Sequence, residues 1–186
     1  MSESLQVIGR AVSRLLAEFE RDPQAALVAL LTLYYGQPLE VTRLARWMDF
    51  DLRERVWRVG ADRLPLTAQA LDLLARYWSV AGGHGEYLFT GVDGQPLRKS
   101  RVVRRVLKLS GGVLPLETLQ AWALKGCPDL DSATIRSEIL HEFAVRGASV
   151  AQVAGLEREF EARLRASVAG WHDMLLVRRT LDELAE

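Results

Sequence analysis

The sequence predicts a mainly α-helical single domain with a small antiparallel β-hairpin or three-stranded sheet at one edge, an α+β chain. Three observations carry this. Apolar residues recur at three- and four-residue spacing over most of the chain, as helices with one buried face require. One stretch, Arg55 to Leu66, instead alternates around a Gly60-Ala61-Asp62 turn, as a hairpin does. The length of 186 residues, with 49% hydrophobic and 26% charged content, suits one domain with a sizeable core rather than two domains or a disordered chain.

In chain order, Leu5, Ile8, Val12, Leu15, Leu16 and Phe19 form the first helical stripe, closed by the polar Glu20-Arg21-Asp22. Asp22 then caps a second helix with Pro23 at its first position, where a missing N–H costs nothing. Ala25 to Leu33 is apolar on almost every face, which predicts a central helix, and Gly36 supplies the left-handed turn by which the chain leaves it after Tyr35. Pro38 opens a third helix in which Val41, Leu44, Ala45 and Met48 make the buried stripe, with Arg43, Arg46 and Asp49 opposite. The hairpin runs from Arg55 to Val59 and returns from Arg63 to Leu66. Thr67 caps a helix bearing Leu71, Leu73, Leu74, Tyr77 and Trp78, and Gly82-Gly83 stops it.

Tyr87 to Thr90 is a short apolar segment closed by the turn Val92-Asp93-Gly94-Gln95. A basic helix follows from Arg98 to Lys108, with Val102, Val103, Val106 and Leu107 inward, and Gly111-Gly112 breaks it. Leu114 to Asp131 holds a helix and a loop punctuated by Pro115, Gly126 and Pro128. Ser132 or Thr134 caps a helix through Val145, Gly147 ends it, and Ser149 caps another that runs past Arg165. Gly170-Trp171 is expected to interrupt, leaving Met174, Leu175, Leu176, Leu181 and Leu184 as a last amphipathic helix. The single domain thus reads as an N-terminal helix (1–21), a core (22–170) and a C-terminal helix (171–186).

A formal net charge of zero gives the whole molecule no pull toward nucleic acid, so any such binding must come from local clustering. That clustering exists. Arg98, Lys99, Arg101, Arg104, Arg105 and Lys108 fall within eleven residues that contain no acid, whereas a solvated helix usually mixes both signs. Cys127 alone forms no internal disulfide and no metal site. His84, His141 and His172 are widely spaced and share no ligand pattern, and no cofactor motif is present. Trp47, Trp57, Trp78, Trp122 and Trp171 read as core or interface groups rather than base-stacking ones. The N-terminus is not basic-then-apolar and no apolar run approaches the roughly eighteen residues of a membrane span, so the expectation is a cytoplasmic protein without a membrane partner.

Several motifs in fixed order carry a resemblance. A helix, a Gly-containing turn, Glu40, Leu44, Trp47, Asp49, Asp51, Leu52, a hairpin, then Arg63, Pro65, Leu66 and Thr67 are followed by Tyr87-Leu88-Phe89, a Gly turn, Pro96-Leu97 and the basic helix. Ile135-Arg136 lies eleven residues before Gly147, with Val150 and Val153 beyond. From about Ala25 onward this order resembles the catalytic domain of tyrosine recombinases, the phage integrase family. The resemblance implies that family's fold, duplex DNA as partner, and a C-terminal helix available for self-association or for docking on a recombinase partner.

It also implies where chemistry should sit, and there the residues depart from the pattern. Such enzymes attack a DNA phosphate with a tyrosine while arginines and histidine or lysine partners neutralise the developing charge. Gln37 stands where the first arginine belongs, and a neutral amide does not replace a guanidinium fork. Ala133 takes the place of a histidine, Trp171 stands near the place of the tyrosine, the hairpin turn has no lysine, and only Arg136 is retained, as a phosphate ligand. A second register places Leu119-Gln120 in the arginine segment and Ile135 to His141 in the following one; it lacks the same groups. The expected function is therefore a catalytically inactive, recombinase-like DNA-binding protein using Arg98, Lys99, Arg101, Arg104, Arg105, Lys108 and Arg136, with no catalytic residue, cofactor or metal. A protein-interaction module that kept the fold without DNA is the alternative, and an active recombinase with an atypical nucleophile is the third.

Overall fold

A computed structural model describes residues 2–147 and 149–184, with side chains described for these except residues 2–5, 133, 140, 142–144, 146 and 182. Leu5 of the first stripe and the Ala133 side chain thus lie outside the described set. Helix α1, Ser2–Ala17, buries Ile8, Ala11, Val12 and Leu15, and Phe19 follows just past its end. Helix α2, Pro23–Tyr35, starts where the Asp22 carboxylate accepts from Ala25 N–H at 3.2 Å and stops at Gly36, whose φ of +62° is strained for any residue with a Cβ. Every residue from Ala25 to Tyr35 is buried, and α2 is the axis of the core. A helix apolar all round has no other place to be.

Helix α3 is only Leu39–Arg43. The expected longer helix does not form, because the chain beyond it is taken up by long-range pairing. Ala45 C=O accepts from Leu88 N–H at 2.8 Å, Trp47 N–H donates to Glu86 C=O at 3.2 Å, and Arg46 bridges to Tyr87. Of the predicted stripe Ala45 is buried, but Leu44 is 40% and Met48 73% exposed. Trp47–Asp49 forms a 3-10 turn that leads into β1 (Phe50–Asp51), β2 (Val56–Val59) and β3 (Asp62–Pro65), an antiparallel sheet in that order. Phe50, Trp57 and Leu64 line up across it on the buried face.

Helix α4, Ala68–Ala81, is capped by Thr67, whose hydroxyl accepts from Ala70 N–H, and ends at Gly82. Helix α5, Lys99–Leu109, and α6, Leu116–Gly126, both pack on α2; a short 3-10 turn, Pro128–Leu130, leads on. Helix α7, Ser132–Arg146, includes Ser132 in its first turn, where the hydroxyl bonds the Asp62 carboxylate of the hairpin rather than capping its own helix. Helix α8, Val150–Glu183, begins at a reciprocal cap in which Ser149 and Gln152 exchange hydrogen bonds, and runs 34 residues without a break.

The interruption expected at Gly170-Trp171 is absent. A mid-helix glycine costs about 1 kcal/mol relative to alanine, and burying Val168, Trp171, His172 and Leu175 outweighs that. Trp171, His172 and Leu175 thus join the core, whereas Leu176, Leu181 and Leu184 of the expected stripe are 43%, 52% and 79% exposed on the same helix. It packs on α1, where a Cβ on Gly9 would lie 2.9 Å from the Arg178 carbonyl oxygen, so glycine is what lets the two helices approach. Among the described residues no helix is long and apolar enough to cross a membrane.

Candidate functional site

The last carbonyls of a helix have no partner within it, and their alignment leaves partial negative charge at that end. At the end of α2 each is answered by a side chain or backbone group from elsewhere. Thr32 C=O takes Gly36 N–H at 2.8 Å. Leu33 C=O accepts from the Trp171 indole at 2.9 Å, Tyr34 C=O from His172 Nε2 at 2.9 Å, Tyr35 C=O from Gln37 at 3.2 Å, and Gly36 C=O from Gln120 at 3.2 Å. The structure thus gathers Gln37, Gln120 and Trp171 around one point. Two of these occupy positions where catalytic groups were expected, and Gln120 is the arginine position of the second register. All act as neutral donors to main-chain carbonyls, at a helix end that disfavours anions unless a cation compensates.

In the sequence His172 reads only as a histidine without a ligand pattern, and it is the most tightly held of the group. It is fully buried; Nδ1 lies 2.6 Å from the Thr67 hydroxyl, and the ring is 4.5 Å from Tyr34 and 5.0 Å from Tyr35, centroid to centroid. One tautomer satisfies everything: Nε2–H donates to Tyr34 C=O and Nδ1 accepts from Thr67, which in turn accepts from Ala70. Desolvation pushes its pKa down to about 4, against smaller upward pulls from the Tyr34 carbonyl and Asp173. Burial likewise raises Tyr34 and Tyr77 to about 12 and Tyr35 further still, so these phenols are poor nucleophiles near neutrality.

Arg136 lies apart from this point. Its guanidinium donates to Ala61 C=O at 3.1 Å and meets the Asp62 carboxylate at 2.7 Å, a charge contact rather than a well-aligned hydrogen bond. The cleft it lines, about 230 Å³ between the hairpin turn, α7 and α8, also carries Glu157 and Glu161. Three carboxylates around one cation give a phosphate little to gain there. On the hairpin Arg63 is paired with Glu54 at 2.6 Å.

Helix α5 divides its basic residues in a way the sequence does not display. Val102, Val106 and Leu109 are buried, Val103 and Leu107 only partly, and Arg98, Lys99, Arg101, Arg104 and Lys108 are exposed. Arg105 is different. It turns to the start of α2, pairs with both Asp22 oxygens and reaches Gln24 at 3.1 Å, with its side chain 26% exposed. Arg98, Arg101, Arg104 and Lys108 make no ion pair among the described residues, whereas Arg43, Arg46, Arg58, Arg63, Arg105 and Arg136 each have a carboxylate.

Elsewhere, Trp47, Phe50 and Leu52 face Leu71, Leu74 and Trp78 of α4 across an apolar groove of about 570 Å³. Among the described residues no three His, Cys, Asp or Glu side chains gather as a metal site needs. No protein-family model, no curated protein and no solved structure matches this chain.

Proposed function

We propose that this chain is a cytoplasmic, recombinase-like protein that binds duplex DNA through its phosphates and neither cuts nor joins it. The observation that carries the reading is the unpaired cationic face of α5. In a chain of zero net charge, Arg98, Arg101, Arg104 and Lys108 stand together on one helix with no carboxylate partner among the described residues, whereas Arg43, Arg46, Arg58, Arg63, Arg105 and Arg136 each have one. Charge held away from its own carboxylates is charge available to a polyanion. The order of elements, from α2 through the short α3 and three-stranded sheet to the basic helix, supports the recombinase-like fold. The neutral donors Gln37, Gln120 and Trp171 at the end of α2 support the absence of strand-transfer chemistry.

The test is an anisotropy titration with random-sequence duplex over a range of salt. Each phosphate neutralised releases about 0.9 counterion, so four contacts give a log–log slope of about −3.6. Arg101→Glu with Arg104→Glu, both exposed and unpaired, should lower the slope by about two and weaken all sequences alike. Parent and double variant binding equally at low salt would sink the proposal. A second reading, a module that binds only protein, is favoured by the apolar groove beside α4; it predicts no duplex binding at any salt.

A further inference from the structure

Ser100 carries an exposed hydroxyl in the first turn of α5, between Arg98-Lys99 and Arg101, and that turn holds no acidic side chain. Arg104, four residues on, is its neighbour on the helix surface. Together with Lys99, Val103 and Leu107 they line an open hollow of about 630 Å³ whose polar side chains are two cations and this hydroxyl. Glu40, whose charge reaches Lys99, is itself held by Arg43 at 2.6 Å. A neutral hydroxyl does nothing for the cations, and Ser100 makes no side-chain hydrogen bond among the described residues. A dianion would answer them, and the hollow has room for one.

The position is also reachable. The Ser100 N–H, like every N–H of a first helical turn, has no acceptor within the helix. That turn is tied back by Arg101 and Val102 N–H on the Arg98 carbonyl, at 3.0 and 3.1 Å, and the residues from Val92 to Gln95 before it are exposed. Helix ends of this kind open at small free-energy cost, so the segment can lie extended in an enzyme's cleft. A kinase with carboxylates beside its cleft matches the cations on both sides of Ser100. Thr134 and Ser137 of α7 are exposed too, but Asp131 and Glu138 stand near them in the chain and repel such a cleft.

We propose that Ser100 is a phosphorylation site whose modification switches off the cationic face of α5; the switch rests on the reading of that face as the DNA contact. In the transfer, Ser100 Oγ attacks the γ-phosphorus of a nucleoside triphosphate held by a serine kinase. The nucleoside diphosphate leaves, and the hydroxyl proton passes to a base of the kinase. A phosphoserine carries a charge of about −1.5 to −2 near pH 7, enough to offset about two of the cations, and it repels duplex phosphates directly. An anion in the first turn of a helix is favoured by the aligned backbone dipoles. The same modification therefore weakens DNA binding and steadies the fold, whereas simple damage would do harm to both.

The test treats the full chain with ATP and a serine kinase that selects basic flanking residues, then locates phosphate by peptide mass spectrometry. Phosphate should appear at Ser100, and Ser100→Ala should take up none while binding random-sequence duplex as the parent does. In the anisotropy titration the phosphorylated chain should bind at least tenfold more weakly at about 0.1 M salt, with a log–log slope smaller by about two. Its melting temperature should rise by about 1–3 °C. No uptake, or phosphate only at other residues, overturns the proposal. So does a phosphorylated chain that binds duplex as tightly as the parent, or one that melts lower. An unmodified chain that binds no duplex ends the DNA reading and the switch with it, and phosphate still found at Ser100 would tell that failure from a failure of the site.

Discussion

Acid should destabilise this protein through His172, and the size of the effect follows from its surroundings. The ring is buried with Nε2 on Tyr34 C=O and Nδ1 on the Thr67 hydroxyl, and its pKa of about 4 lies well below the ordinary 6.5. Between these two values the unfolded chain binds a proton that the folded chain refuses. Stability therefore rises with pH across this window, is complete above about pH 6.5, and is lost on acidification toward pH 4. At about 1.4 kcal/mol per unit the full loss is about 3 kcal/mol, of which about 2 has gone by pH 5. Glu40 and Asp51 also titrate, but both are exposed carboxylates held below their ordinary range, the first by its Arg43 hydrogen bond and the second by Glu54 N–H, so they stay ionised at pH 5.

The assay is urea unfolding followed by tryptophan fluorescence at pH 7 and pH 5. His172→Gln keeps an amide able to donate to Tyr34 C=O but removes the titration. The wild type should lose about 2 kcal/mol more than the variant between the two pH values. Equal losses would show that His172 does not carry the acid sensitivity and that its burial is misjudged.

Other outcomes follow from particular contacts. Arg105→Ala should lower stability by about 1–3 kcal/mol, because Asp22 and Gln24 lose their shared partner at the start of α2, while Arg101→Ala changes unfolding by less than about 0.5. Trp171→Phe should cost about 1–3 kcal/mol by leaving the buried Leu33 carbonyl without a donor; denaturant midpoints measure it. Gly9→Ala should lower the melting temperature despite alanine's better helix propensity, because the added methyl meets the Arg178 carbonyl backbone. Supercoiled plasmid incubated with the protein should keep its topology on a gel; relaxation that disappears in Tyr87→Phe would establish a nucleophile where none is proposed.

Helix α2 was legible in the sequence because its signals are local: Asp22, Pro23, an unbroken apolar run and Gly36. The hairpin was legible for the same reason, since Gly60-Ala61 sets its own turn. The misreadings have one cause. The length of α3 is decided by pairing with residues 86–88, and the continuity of α8 by what Val168 and Leu175 bury, neither visible in a window of neighbours. Arg105 looks like Arg104 in the sequence, and only the approach of Asp22, 83 residues earlier, sets it apart. Gln37 and Trp171 were singled out for chemistry they lack; the structure places them together for another purpose. His172 carried no signal of its own beyond standing next to Trp171.

The sealing of α2 by Trp171 and His172 spans 138 residues, and this sets an order of events during synthesis. The nascent chain delivers α2 well before α8, yet the carbonyls of Leu33 and Tyr34 stay hydrated until α8 leaves the ribosome and folds back. Native closure is thus a late, high-contact-order step. A product terminated before position 171 holds most of the apolar surface but not the donors that finish its central helix, and proteases that sample unfinished chains will remove it. Synthesis through α8 is in this way read out by the stability of α2.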